Sequence, residues 1–188
     1  MPPEYEWAGA LGLLGPHQRR NAAVAQGVLA ALPALFRPSL PEIEAGFGRA
    51  SLPGRLDRRG KWLFDVAHNP DGMRSLTRAI TTLDLPRPIH ALVSILSDKA
   101  WPEMLVELDR VVDQGVLTLT PTAEGRRWDP DWLTRWLRDP SRPPARATWG
   151  LVPDFREALA RVRVGAGTIV VTGSFHTVGD VLVELGLD

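Results

Sequence analysis

The stretch Lys61-Trp62-Leu63-Phe64-Asp65-Val66-Ala67-His68-Asn69-Pro70 decides how this chain is read. A short apolar run ends on a carboxylate, a turn carries an imidazole, and a proline stands where a helix begins; the order spells strand, turn, helix. Asn69 suits the helix cap, and Pro70 fits the first turn, where a missing N–H does no harm. Met73, Leu76, Ile80 and Leu83 then follow at helical spacing. In open α/β sheets ligands collect at this end of the strands, because loops meet helix N-termini whose backbone N–H groups receive anions. The expectation is a nucleotide-linked site, or half of one.

Working outward toward the C-terminus, the same rhythm repeats. Strands are predicted over 62–66, 89–96, 116–120, 147–149 and 168–172, and helices over 70–83, 101–112, 131–137, 153–162 and 178–185. Nearly continuous apolar strands alternating with helices predict an α/β fold: a mostly parallel, Rossmann-like sheet of five or six strands with helices on both faces. Trp128, Trp132 and Trp136 recur every four residues, and a packed helix face explains them better than a ligand cage.

Toward the N-terminus the text changes character. Residues 5–14 read as a short extended apolar stretch, broken by Gly15-Pro16. From His17 to Leu32 the chain is alanine-rich with Ala22, Ala25, Val28, Leu29 and Leu32 on one face, a helix of about four turns. Pro41-Glu42-Ile43-Glu44 opens a second, short helix after Ser39. With at most one strand and two helices this segment does not close a core easily, so it is expected to pack on the following domain, on a partner or on a domain outside the chain. Leu52-Pro53-Gly54-Arg55-Leu56 reads as the junction, dividing a partial helical segment over 1–50 from an α/β domain over 51–188.

Composition narrows the classes. The 188 residues suffice for one good core plus an appendage. With 22 basic against 22 acidic residues there is no basic surface to drive nucleic-acid binding. Arg19-Arg20 and Arg58-Arg59 are patches that an anion would find, or ordinary solubility. The absence of cysteine excludes disulfides, thiolate metal sites and cysteine nucleophiles. No stretch approaches the roughly 20 apolar residues of a membrane span, and Met1-Pro2-Pro3-Glu4 does not begin a signal sequence, so no membrane partner and a cytoplasmic location are expected.

The candidate site residues lie at strand ends. Asp65 is placed to accept a ribose hydroxyl or help hold a cation, and His68 to stack on or donate to a ligand; the plain alternative is that both hydrogen-bond the turn. In Val171-Thr172-Gly173-Ser174-Phe175-His176, Gly173 permits close backbone approach and Ser174 offers a hydroxyl and an N–H to a carboxylate, while Thr177 with Asp180 reads as a helix cap. After the third run, Lys99 presents a cation to a substrate carboxylate, and Asp98 reads as a cap for the next helix. Asn21, in His17-Gln18-Arg19-Arg20-Asn21, is placed to grip a base edge or simply to cap its helix. There is no serine nucleophile elbow, zinc histidine pair or redox motif, and no Gly-x-x-x-x-Gly-Lys-Ser/Thr run to cradle a triphosphate.

Together, several ordered motifs resemble the C-terminal part of the folylpolyglutamate synthase/dihydrofolate synthase family of the Mur ligase superfamily. Leu14-Gly15-Pro16-His17-Gln18-Arg19-Arg20-Asn21-Ala22-Ala23 resembles the last helix motif of that family's central ATPase domain, and Pro53-Gly54-Arg55 its linker. Asp65-Val66-Ala67-His68-Asn69-Pro70 resembles the most specific motif of its C-terminal domain, Asp98-Lys99 the front of an Asp-Lys-Asp element, and Thr172-Gly173-Ser174 the final strand-end motif. Ala100 departs from the family where a second aspartate usually stands, and Val66 where glycine is common.

The resemblance implies an ATP-dependent ligase of folate biosynthesis and one-carbon metabolism. Such an enzyme makes an acyl phosphate from a folate or pteroate carboxylate, which the amino group of glutamate attacks. It implies nucleotide-binding roles for Asn21, Arg55, Asp65 and His68, glutamate-binding roles for Lys99 and Ser174, and catalytic positions at His68 and Lys99. It implies ATP and Mg2+ as cofactors of the complete enzyme, no metal ligand and no tightly bound cofactor in this chain alone, and a P-loop ATPase portion supplied either by the rest of a longer ligase or by a separate half in trans. The expectation is therefore part of a ligase, not competent by itself; the alternative is a noncatalytic α/β interaction or regulatory module derived from one. A cell-wall Mur-type ligase fits less well, because the Asp-x-Ala-His-Asn-Pro and Pro-Gly-Arg forms look more folate-like.

Overall fold

The structure is a computed structural model that describes residues 6–141 and 144–187. Met1-Pro2-Pro3-Glu4, and Tyr5 at the head of the predicted extended stretch, lie outside the described residues. The chain divides into two compact units, one ending at Asp57 and the other beginning at Arg58.

In the first unit α1 (His17–Ala30) and α2 (Leu40–Arg49) are joined through a 3-10 turn, Ala34–Phe36. Ser39 starts α2 by donating its N–H (2.7 Å) and hydroxyl (2.6 Å) to the Glu42 carboxylate. A small core gathers Trp7, Ala22 and Ile43, with Leu11, Leu29 and Phe47 packed against it. The described part of the predicted extended stretch forms no strand. Its backbone groups are claimed by helical residues instead: Trp7 N–H donates to the Arg19 carbonyl (3.0 Å), Gly12 N–H to that of Phe47 (2.9 Å), and the Arg19 guanidinium to the Trp7 carbonyl (2.7 Å). A segment whose polar groups are satisfied this way has no need of a ladder.

The sheet is built from β1 (Asp57–Arg59), β2 (Trp62–Asp65), β3 (Ile89–Val93), β4 (Gln114–Leu117), β5 (Thr148–Leu151) and β6 (Thr168–Thr172), in the order β1-β2-β6-β3-β4-β5. All pairs from β2 to β5 are parallel. β1, absent from the sequence reading, joins β2 through Gly60-Lys61, a link only an antiparallel neighbour can use. Between the strands run α3 (Pro70–Thr82), α4 (Trp101–Asp109), α5 (Pro130–Arg138) and α6 (Phe155–Val162), with α7 (Phe175–Leu185) last.

The connections explain the layers. β2–α3–β3, β3–α4–β4 and β4–α5–β5 advance across the sheet, while β5–α6–β6 returns; right-handed crossovers then place α3, α4 and α5 on one face and α6 on the other. On the α6 side, Phe64, Leu92, Val116 and Val171 pack with Phe155, Leu159, Val162, Val178 and Val181. Every residue of β3 and β6 is buried, as strands covered on both faces must be. Among the described residues, no helix is long and apolar enough to cross a membrane.

Several boundaries differ from the sequence reading. β3 stops at Val93 although Ile95 and Leu96 are buried, because Leu96 leaves the parallel ladder and makes an isolated antiparallel bridge with Arg127 instead. α5 starts at Pro130, with Asp129 accepting from the Asp131 N–H, so Trp128 falls outside the helix. The expected tryptophan face is therefore not one face: Trp128 is 1% exposed and Trp132 51%. Trp128 and Trp136 both meet Trp101 edge-on, at 6.1 and 5.6 Å.

Candidate functional site

Register brings the candidate residues to one edge. Asp65 pairs with Thr172, Thr172 with Val93, and Val93 with Leu117. Strands β2, β6, β3 and β4 thus end in step, and the loops that follow them leave the same carboxyl edge, the ligand edge of an open α/β sheet.

The loop after β2 carries Asp65 and His68. Asp65 is buried, and its Oδ1 accepts the Ala67 N–H at 2.9 Å, so its carboxylate shapes the turn as well as facing the strand end. His68 is half-buried; its Nδ1 lies 3.0 Å from the Val66 carbonyl oxygen, which can only accept. Nδ1 therefore carries the proton, and Nε2 is the nitrogen that this bond leaves for a ligand. The ring also stands 5.7 Å from that of Phe175. Asn69 caps α3 by accepting the Gly72 N–H at 2.8 Å, as its position predicts.

The loop after β6 is tighter. Gly173 has φ +113°, and a Cβ there would stand 2.5 Å from the Ser94 carbonyl oxygen. Ser174, 2% exposed, caps α7: its hydroxyl accepts the Thr177 N–H at 3.1 Å, and it lies 3.2 Å from the Ser94 carbonyl, to which it donates. Thr177 donates to that same carbonyl at 2.6 Å. The cap expected from Thr177 and Asp180 is thus displaced three residues upstream, because the glycine turn starts the helix at Phe175; Asp180 instead accepts the Thr122 N–H at 3.1 Å. Among the described residues, the buried Thr172 Oγ1 has no hydrogen-bond partner.

The loop after β3 carries Lys99, whose Nζ lies 3.0 Å from Asp98. Asp98 does not cap α4, whose cap position is Ala100 with no side-chain bond. Its carboxylate is gripped by both oxygens instead, at 2.9 and 3.0 Å, by Arg126. The Lys99 ammonium, and after it the Arg126 guanidinium, hold the Asp98 carboxyl below the usual carboxylate range. Sequence reasoning missed Arg126: it sits 28 residues from Asp98, and nothing in its spacing ties the two. It also missed Phe175, which is 60% exposed beside His68, although an aromatic directly after a strand-end serine was the available signal.

The remaining candidates belong to the first unit. Asn21 is exposed on α1 and donates to Gln18 Oε1 at 2.9 Å, so it does not cap the helix, whose cap position is Pro16. Arg55 is exposed in a turn closed by its own N–H to the Leu52 carbonyl, 3.1 Å.

Residues 49–175 match the model of the family described as Mur ligase, glutamate ligase domain. The chain is 26% identical over 187 residues to a probable dihydrofolate synthetase of Schizosaccharomyces pombe, a match spanning 94% of this chain and 44% of that protein. Among solved structures it superposes on Mycobacterium tuberculosis folylpolyglutamate synthase complexed with ADP, with a TM-score of 0.76 and 28% identity over 95% of this chain and 42% of the other. A bifunctional folylpolyglutamate synthase/dihydrofolate synthase from Yersinia pestis, complexed with AMPPNP and Mn ion, gives 0.76 and 25% identity over 100% and 43%. The chain thus spans less than half the length of these relatives. The chain belongs to the Mur ligase superfamily, as a C-terminal, glutamate ligase domain homologous to the folylpolyglutamate synthases/dihydrofolate synthases.

Proposed function

We propose that this chain is the C-terminal portion of an ATP-dependent glutamate ligase of the folylpolyglutamate synthase/dihydrofolate synthase type, orienting nucleotide and glutamate for amide formation. The observation that carries the reading is the shared carboxyl edge, where Asp65, His68, Lys99 and Ser174 follow three strands that end in step. Asp65 is the acceptor for ribose hydroxyls and His68 Nε2 the contact near the phosphates; Lys99 meets a glutamate carboxylate, and the turn at Ser174 offers it backbone N–H groups. Asn21 and Arg55, on the segment we read as central-domain-like, are nucleotide contacts of the complete ligase in this reading. The domain's work is alignment and exclusion of water.

The phosphate loop has to come from outside these 188 residues, which hold no such run. Among the described residues no three histidine or carboxylate side chains converge as a metal shell, so the Mg2+ of the complete ligase is assigned no ligand and no step here. The partner in this reading is a P-loop ATPase polypeptide, and the substrates are glutamate and a folate or pteroate.

Steady-state kinetics of the complemented enzyme test these roles. His68→Ala raises KM for ATP about tenfold, and Lys99→Ala raises KM for glutamate about tenfold, each the loss of roughly one contact worth about 1.4 kcal/mol. If neither constant moves, the roles are wrong. One observation favours a second reading, a noncatalytic module: the Ser174 hydroxyl is buried and already bonded within the protein. Under that reading the chain associates with its partner but supports no glutamate ligation.

A further inference from the structure

From Asn21 to Phe36 the chain has no charged residue, whereas at the overall charged content of 23% a stretch of that length would hold about four. That stretch is most of α1 and the turn after it. One side of α1 serves the unit's own core, where Ala22 is buried and Leu29 packs against Trp7 and Ile43. The other side is equally apolar and lies bare: Val24 is 68% exposed and Val28 60%, one helical turn apart, with Gly27 and Ala31 exposed beside them. The apolar surface continues into the 3-10 turn, where Leu35 is 88% and Phe36 68% exposed. A surface helix carries one apolar stripe; a helix apolar all round is an interior helix. Scattered exposed valines need no explanation, but a continuous uncharged surface marks an interface.

We propose that the outer face of α1 and the following turn, centred on Val24, Val28, Leu35 and Phe36, is the docking surface for the remaining part of the ligase. The occupant is the polypeptide equivalent to the more than half of the Schizosaccharomyces pombe relative that this chain does not span. The family match begins only at residue 49, whereas similarity to that relative runs over 94% of the chain. α1 therefore lies in the part that is similar to the relative but aligned ahead of the glutamate ligase domain. The inference rests on the reading of this chain as the C-terminal portion of such a ligase, and it names the surface that joins the two portions.

The test co-expresses the full 188-residue chain with the unspanned part of the S. pombe relative carrying a tag, and compares wild type with Val24→Asp/Val28→Asp. Expected is co-purification with wild type, a loss of at least tenfold with the double variant, and an unchanged melting temperature for the double variant alone, because both side chains already face water. Failure of the wild-type chain to co-purify, or equal recovery of the variant, overturns the proposal. A markedly lower melting temperature of the variant alone overturns it too, by showing the face covered within this chain. So does a wild-type homodimer that the double variant breaks, which would make a second copy the occupant. The two readings fail differently: association without glutamate ligation sinks the proposed function and leaves the surface, while ligation undiminished in the double variant sinks the surface and leaves the function.

Discussion

The turns after β2 and β6 leave neighbouring strand ends, Asp65 and Thr172 being register partners, yet they spend their polar groups in opposite ways. The first uses the residues between Asp65 and Pro70, long enough to lift His68 and Asn69 toward solvent, and its helix starts on a proline. The second uses only Gly173 and Ser174, tucked beneath the Ser94 carbonyl, and its hydroxyls bond inward. One strand–turn–helix plan thus gives a turn that can face a ligand and a turn that locks the sheet to its last helix. The second turn therefore has no spare serine hydroxyl to offer, and its exposed side chain is that of Phe175.

If the contrast is right, substitutions in the closed turn cost far more stability than those in the open one. Gly173→Ala has the largest expected effect, about 3 kcal/mol, because a side chain at φ +113° is strained and its Cβ collides with the Ser94 carbonyl. Urea unfolding measures it, and a loss below about 1 kcal/mol would mean that the turn relaxes freely. Ser174→Ala follows at about 2 kcal/mol, removing the cap of α7 and leaving the buried Thr177 N–H without its acceptor, while the Ser94 carbonyl keeps only the Thr177 hydroxyl. Asn69→Ala, a cap lost at the surface, costs about 1 kcal/mol. His68→Ala costs about 0.5 kcal/mol while weakening nucleotide binding in the complemented enzyme, the signature of a residue kept for a ligand. Equal losses at Ser174 and His68 would erase the contrast.

The smallest effect concerns pH. The folded Asp98 carboxyl lies below its ordinary 3.8, held there by Lys99 and Arg126. Its ion pairs therefore stabilise the fold above that ordinary value, and the contribution fades as pH falls through the lowered one. A carboxyl-resolved NMR titration should place the Asp98 midpoint below 3.8 in the wild type and higher in Arg126→Ala. Because the group is solvent-exposed, Asp98→Asn should leave stability at neutral pH nearly unchanged.

What was legible in the sequence follows from the same physics. The β-branched run Thr168–Thr172 is a strand with the predicted bounds, because a fully buried parallel strand leaves its composition no alternative. β3 reads too long because burial continues through Ile95 and Leu96 after the ladder ends, and apolar periodicity reports burial rather than pairing. β1 is invisible because Asp57-Arg58-Arg59 is charged, as an edge strand can be. At the site, strand-end position picks out Asp65, His68, Lys99 and Ser174, since the turn that needs a polar residue is written locally. It does not reveal that Ser174 is consumed within the fold, nor that Arg126 reaches Asp98. Both depend on which strand lies beside which, and β6 inserting between β2 and β3 is not written in any one segment.

The central claim, that this chain supplies the nucleotide- and glutamate-orienting portion of a ligase, is tested most directly by ATP-dependent incorporation of labelled glutamate into dihydropteroate or tetrahydrofolate. The chain is assayed alone and then with a folded P-loop ATPase portion. Incorporation is expected only in the mixture, and is abolished when ATP is omitted. Incorporation by the chain alone, or none in a mixture whose components demonstrably associate, would contradict that claim.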